Sequence, residues 1–319
     1  MRKTAWLIAL VFILSGCEQP SREQPEPDKP EVKPLQQSPA LAQWYRERAS
    51  SQRKTLEIRA RTFREAVRGL LDEPDAERLA TARETWRGLY EAFNRAWLGL
   101  RISARYQNGL EERLRRCDPV PIFPGYIDGL RQWPDSGIVH DPTVKLTRQS
   151  LLEQQGATAE GEASLGFPVI HFLLHGEPDR PREATAFRVP ARKQPADERP
   201  ERAQTQSSAA PDDAKQSGKD PSKAVHRSEL SPREVIERRR DYLGVTTRVL
   251  TRDLQALATA NTPAPTPQAL VASLRPLVQR LIRLEGLSEA NEVAGEYMAP
   301  ATREQAVAVL LESLKGWLA

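Results

Sequence analysis

This sequence predicts an all-α fold of two packed helical bundles with a disordered insert. Three observations carry the prediction. Apolar residues recur at three- and four-residue steps through most of the chain. No segment alternates convincingly with period two. Proline and charge gather in two stretches nearly devoid of aromatic residues, so these stretches lack the apolar area to order themselves.

The chain begins with Arg2 and Lys3, followed by an unbroken apolar run from Ala5 to Leu14. That run is too short for the roughly 20 residues of a membrane-spanning helix, but it suits a secretory signal. It ends in Leu14-Ser15-Gly16-Cys17, which resembles the lipobox of bacterial lipoproteins. The resemblance implies that residues 1–16 are a signal peptide cleaved before Cys17. It also implies a diacylglyceryl thioether on the Cys17 sulfur and acylation, palmitate included, of the new amino group. Several acyl chains anchor stably where one is marginal. The implied partner is a membrane. Glu18 in place of aspartate favours the outer membrane of a bacterial envelope, with the domain facing the periplasm.

Residues 17–39 carry six prolines and no aromatic residue and read as a tether. Residues 40–176 read as an N-terminal bundle. Its first helix places Leu41, Trp44, Tyr45, Leu56, Phe63, Val67, Leu70 and Leu71 on a helical period, and Pro74 ends it. Residues 75–114 place Leu79, Ala82, Trp86, Leu89, Phe93 and Trp97 on one stripe, as bundle core requires. A Pro- and Gly-rich connection spans 117–142, a length that often carries function. Short helices follow at Val144–Gln154 and 166–175. Residues 177–232 hold eight prolines and one aromatic, Phe187, and read as the disordered insert. Residues 233–319 read as a C-terminal bundle. Ser231 caps its first helix, with Pro232 at the first helical position. That helix carries Val235, Tyr242, Thr246, Val249, Leu250, Leu254 and Leu257. Two more follow, one starting at Pro267 and one carrying Val307 to Trp317.

Charge excludes one function class. The isoelectric point is near 9.1, yet 47 basic groups face 43 acidic ones. Loss of Arg2 and Lys3 lowers the net charge from +4 to +2. With no base-reading motif, nucleic acid is not a partner. The run Arg238-Arg239-Arg240 reads as a solvated helix face. Two cysteines exclude a disulfide scaffold. With Cys17 acylated, Cys117 is either buried or open to an intermolecular disulfide, and Arg115 and Arg116 would lower its pKa if it were exposed.

The segment from Gly166 to Gly176, with Pro168, His171 and His175 inside it, resembles the signature of imelysin-like proteins. Ala82 to Arg87 resembles that family's early Arg-x-x-Trp helix. Ile127 to Asp135, with Trp133-Pro134-Asp135, resembles its Trp-Pro loop. Arg240 to Leu243, through Asp253-Leu254, resembles its helix after the signature. The resemblance covers about residues 40–319, with gaps. It implies a helical fold and a link to bacterial iron uptake, and some members are metallopeptidases.

The departures from the signature decide what carries over. Pro168 stands where the family has histidine, His171 where it has glutamate, and His175 where tryptophan is usual. Proline has no donor atom, so the first ligand is gone, and a metallopeptidase needs both a metal and usually a carboxylate base. Peptidase activity is therefore not carried over, and no residue is assigned as catalytic. His171 and His175 share a helix face at i, i+4, and His140 in the Trp-Pro loop could join them around iron or zinc. The favoured function is a non-catalytic, membrane-anchored binding protein linked to iron acquisition, with an envelope or iron-uptake protein as partner. Two alternatives stay open: a metal-dependent peptidase or hydrolase using His171 and His175, and a structural envelope lipoprotein without a ligand.

Overall fold

The computed structural model describes residues 39–159, 161–191, 230–260, 264–286 and 300–318. The first apolar run forms helix α1, Pro39–Asp72. It buries Tyr45, Ala49, Leu56, Ala60, Phe63, Val67 and Leu70, whose three-, four- and seven-residue steps keep them on one face. Pro74 cannot continue the amide ladder, and Asp75 starts the next helix by accepting from the Arg78 backbone N–H at 2.7 Å. Helix α2 is Ala76–Ala104. The single run expected over 75–114 is broken after it. Gly109, at φ +80°, turns the chain into α3, Leu110–Cys117, a backbone that glycine adopts without a Cβ clash.

Three short helices punctuate the connection: α4 (Pro124–Ile127), α5 (Arg148–Gln154) and α6 (Phe167–His175). Strands β1 (Gly176–Glu177) and β2 (Arg180–Pro181) pair antiparallel, and a 3-10 turn covers Ala184–Phe187. Ser231 and Glu234 cap α7 (Pro232–Ala258) reciprocally, with Pro232 in its first turn. Helices α8 (Pro267–Gly286) and α9 (Pro300–Leu318) follow.

The all-α expectation holds. Helices α1, α3, α6, α7, α8 and α9 all pack on α2. Being covered so widely, α2 buries most of its residues from Ala92 onward. Helix α7 packs against α1, α3 and α6, so the segments 40–176 and 233–319 are in contact. One continuous core runs from Tyr45 to Leu310.

Residues 177–191, expected within the disordered insert, are instead packed on the domain. Phe187 is fully buried, and Arg240 donates to its carbonyl. A single anchored aromatic, backed by the β1–β2 pairing, holds residues 177–191 to the domain despite their prolines. Residues 192–229 and the tether through residue 38, with Cys17, lie outside the described residues, as do the side chains of Leu41 and Trp317. Among the described residues, no helix is long and apolar enough to cross a membrane.

Candidate functional site

Four sequence segments meet at α6. Gly166 enters it at φ +108°, where an added Cβ would lie 2.6 Å from the Arg116 carbonyl oxygen, so only glycine fits. Pro168 sits in the first turn, where no N–H is needed. From α2, Trp86 Nε1 donates to the Phe167 carbonyl at 3.2 Å, near the start of α6. Arg83, one turn earlier, donates from Nε and Nη2 to the Leu174 carbonyl at 3.2 and 3.0 Å, and also to the Arg182 carbonyl. A guanidinium is well placed at a helix end whose carbonyls lack intrahelical donors. From α7, the Tyr242 hydroxyl donates to the Ser164 carbonyl at 2.8 Å.

The two histidines of the signature stack. Their ring centroids lie 4.1 Å apart with 12° between the planes, and Trp86 lies 4.8 Å from the buried His171 ring. A metal binds an imidazole nitrogen in the plane of the ring at roughly 2.0–2.1 Å. Here the planes are nearly parallel, so the nitrogen lone pairs run side by side and do not converge. His140 is held elsewhere, with Nε2 at 3.3 Å from Asp128 Oδ1. Among the described residues, no three His, Cys, Asp or Glu side chains form a metal-holding group. The expected trio of His171, His175 and His140 is thus not assembled, and these residues as placed do not fit iron or zinc. Burial, and then the charge of Arg83, push the His175 pKa down to about 4, so its ring is neutral at pH 7.

The charged centre of the region was not foreseen in the sequence. Asp128, in the Trp-Pro loop, is fully buried. Arg239 grips it bidentately, at 2.6 and 3.1 Å, and Arg182 adds a contact at 2.9 Å. The backbone N–H of Gly129 donates to it at 2.8 Å. Burial alone would raise the Asp128 pKa. Arg182, the His140 hydrogen bond and Arg239 outweigh it and hold the carboxyl well below the usual carboxylate range. One carboxylate facing two guanidiniums leaves this buried group with a positive excess.

The arginine run is therefore not the solvated face expected of it. Arg239 is buried on Asp128. Arg238 donates to the carbonyls of Ile138, Val139, Asp141 and Val144 at 2.6–3.0 Å, and Arg240 donates to those of Leu71 and Phe187. A signal for this was present. Val235, Arg239, Tyr242, Thr246 and Val249 share one helical stripe, and a charge on an apolar stripe requires a buried partner. Asp128 and Arg182 carried no such mark, whereas Arg83 is the arginine of the Arg-x-x-Trp segment and falls between Leu79 and Trp86 at helical steps. Of the two options for Cys117 the structure shows the buried one, and burial raises its thiol well above the usual range.

Beside the start of α6 lies an open cavity of about 480 Å³, bounded by α2, α3 and α8. Trp97, Arg101, Arg116, Asp118, Pro119 and Arg280 are among its walls. Arg280 pairs with Asp118 and reaches Asn94 Oδ1 at 2.8 Å, with its guanidinium over the Phe93 and Trp97 rings. The Pro119 ring and the Arg116 carbonyl also abut Gly166, so the signature glycine and this cavity share a wall. The volume suits a small ligand.

Compared with models of protein families, the chain matches imelysin, a family named among peptidases, over residues 52–309. No curated protein matches it. The matched span runs from α1 into α9 and takes in every segment that meets at α6, and the chain belongs to the imelysin family.

Proposed function

We propose that this imelysin-family chain is a non-catalytic binding protein of the bacterial envelope, linked to iron acquisition and anchored to the outer membrane through acylated Cys17, its domain facing the periplasm. The observation that carries the non-catalytic part is the occupation of the signature by structure. Pro168 has no donor atom, and His171 and His175 stack face to face, away from any common ligand point. Asp128, the buried carboxylate nearest in role to a base, is pinned by Arg182 and Arg239 and is a poor proton acceptor. The cavity beside Gly166 is the place for a ligand or for part of an envelope partner.

Calorimetric titration of the purified chain with Fe(II), Fe(III) and Zn(II), alongside His171→Ala and His175→Ala, tests this reading. Histidine-dependent metal binding, or chelator-sensitive peptide hydrolysis, would overturn it in favour of a metal-dependent hydrolase. In cells, Cys17→Ser should release the protein from the membrane fraction, and deletion should lower iron uptake under starvation. Unchanged uptake would remove the iron link.

A further inference from the structure

A second concavity, of about 660 Å³, lies between α1 and α7, on residues that the α6 region does not use. Lys54, Arg61 and Arg64 line it from α1, and Arg248 and Arg252 from α7. Glu57 is the one acid among its lining residues. The spacings bring this about. Residues 54, 57, 61 and 64 recur at three- and four-residue steps along α1, as do 248 and 252 along α7, so each set falls on one helix face. From 54 to 64 the row runs about 15 Å at the helical rise.

Composition does not explain this concentration, because the chain is nearly balanced. The five cations form no ion pair among the described residues. Some exposed arginines elsewhere are paired, as Arg95 is with Glu312 and Arg233 with Glu237. The neighbouring acid on α7, Asp253, is turned inward and held by Arg113 and Arg116 at 2.6–3.1 Å. Like charges this close repel, and an anion relieves the repulsion. Guanidinium forks match phosphate oxygens in bidentate pairs. Thr251 and Gln255 add neutral polar groups, and Ile58, 44% exposed, adds an apolar patch. The space exceeds one phosphate and falls in the range of small-ligand pockets.

We infer that this groove binds a small anion carrying two or more phosphate groups, free or as the headgroup of a lipid. It stands apart from the proposed function and fails separately from it. The test uses inorganic tripolyphosphate, titrated calorimetrically into the full chain, and flotation with phosphatidylcholine vesicles containing cardiolipin, a lipid with two phosphates, in a second arm. Arg61→Ala and Arg248→Ala remove one guanidinium from each wall. Both sites are exposed, so folding should survive, and a thermal melt checks this. Arg68→Ala, outside the lining, is the control. Each groove substitution should weaken binding about ten- to hundredfold, the loss of one charge-assisted hydrogen-bonding partner. Saturable tripolyphosphate binding lost in the variants supports a free phosphate ligand. Binding to vesicles alone, lost in the same variants, supports the headgroup. The inference is overturned by no binding in either arm, by binding that Arg61→Ala and Arg248→Ala leave intact, or by equal affinity for the tricarboxylate tricarballylate.

Discussion

Replacing His175 with phenylalanine should flatten the acid side of the stability curve. The ring is mostly buried, stacks on His171 and lies near Arg83, and its pKa falls from 6.5 to about 4 on folding. Its neutral form is therefore favoured in the folded chain. In the unfolded chain the imidazole takes up a proton near pH 6.5. Between these two values the unfolded state binds more protons, so stability falls as pH falls. Integrating the linkage gives a loss of about 2 kcal/mol by pH 5 and about 3 kcal/mol by pH 4, relative to pH 7.5. Below pH 4 both states are protonated and the loss levels off. Asp128 titrates below this window, so its ion pairs should not confuse the reading.

The measurement is urea unfolding of wild type and His175→Phe at half-unit steps from pH 7.5 to 4. Other titrating groups contribute to both proteins and cancel in the difference. Phenylalanine keeps an apolar ring against His171 but cannot bind a proton. The wild-type curve should fall below the variant curve by the stated amounts as pH drops. Curves parallel across the window would refute the argument, because they would mean that His175 titrates alike in both states. An imidazole NMR midpoint near 6.5 in the folded chain would refute it independently.

Three further outcomes follow from the packing. Asp128→Ala strands Arg182 and Arg239 without their shared carboxylate and should destabilise by about 3–5 kcal/mol in urea unfolding. Adding Arg239→Met should recover part of that loss. Phe187→Ala should cost about 3–5 kcal/mol, and a negligible cost would mean that residues 184–187 are not part of the core. Gly166→Ala forces a Cβ to within 2.6 Å of the Arg116 carbonyl in a positive-φ backbone. Its expected cost is more than about 2 kcal/mol, read as a lowered unfolding midpoint.

The helices were legible because their causes are local. The apolar spacing of α1, the stop at Pro74 and the Ser231–Glu234 cap can all be read within a few residues. The break at 105–109 was missed because Leu79 to Trp97 sets a period that nothing before Gly109 contradicts. The fold of residues 177–191 was missed for the opposite reason. Its composition is that of a linker, and tertiary facts override it: the burial of Phe187 and the pairing of Arg182 with Asp128. The Asp128 cluster joins residues 128, 182 and 239, and such pairings have no signature in sequence distance. Half of it was nonetheless legible, since Arg239 lies on the same stripe as Tyr242 and Val249.

The same distinction explains why the family could be read although the sequence departs from the resembled signature at Pro168 and His171. A ligand site constrains only a few side chains, such as those that the resemblance sets at the positions of Pro168 and His171. The packing of α6 constrains far more. It needs a glycine beneath the Arg116 carbonyl, a tryptophan that reaches Phe167, an arginine that reaches Leu174 and a tyrosine that reaches Ser164. These contacts come from α2, α3 and α7, so they fix the order of several weak motifs along the chain. Losing a donor at position 168 removes one possible ligand, whereas losing Trp86 or Gly166 would disturb the helix on which the core is built. The motif order thus reports the architecture and leaves the chemistry open, which is why the family follows from the whole span while the function has to be tested at the cavity and at the groove.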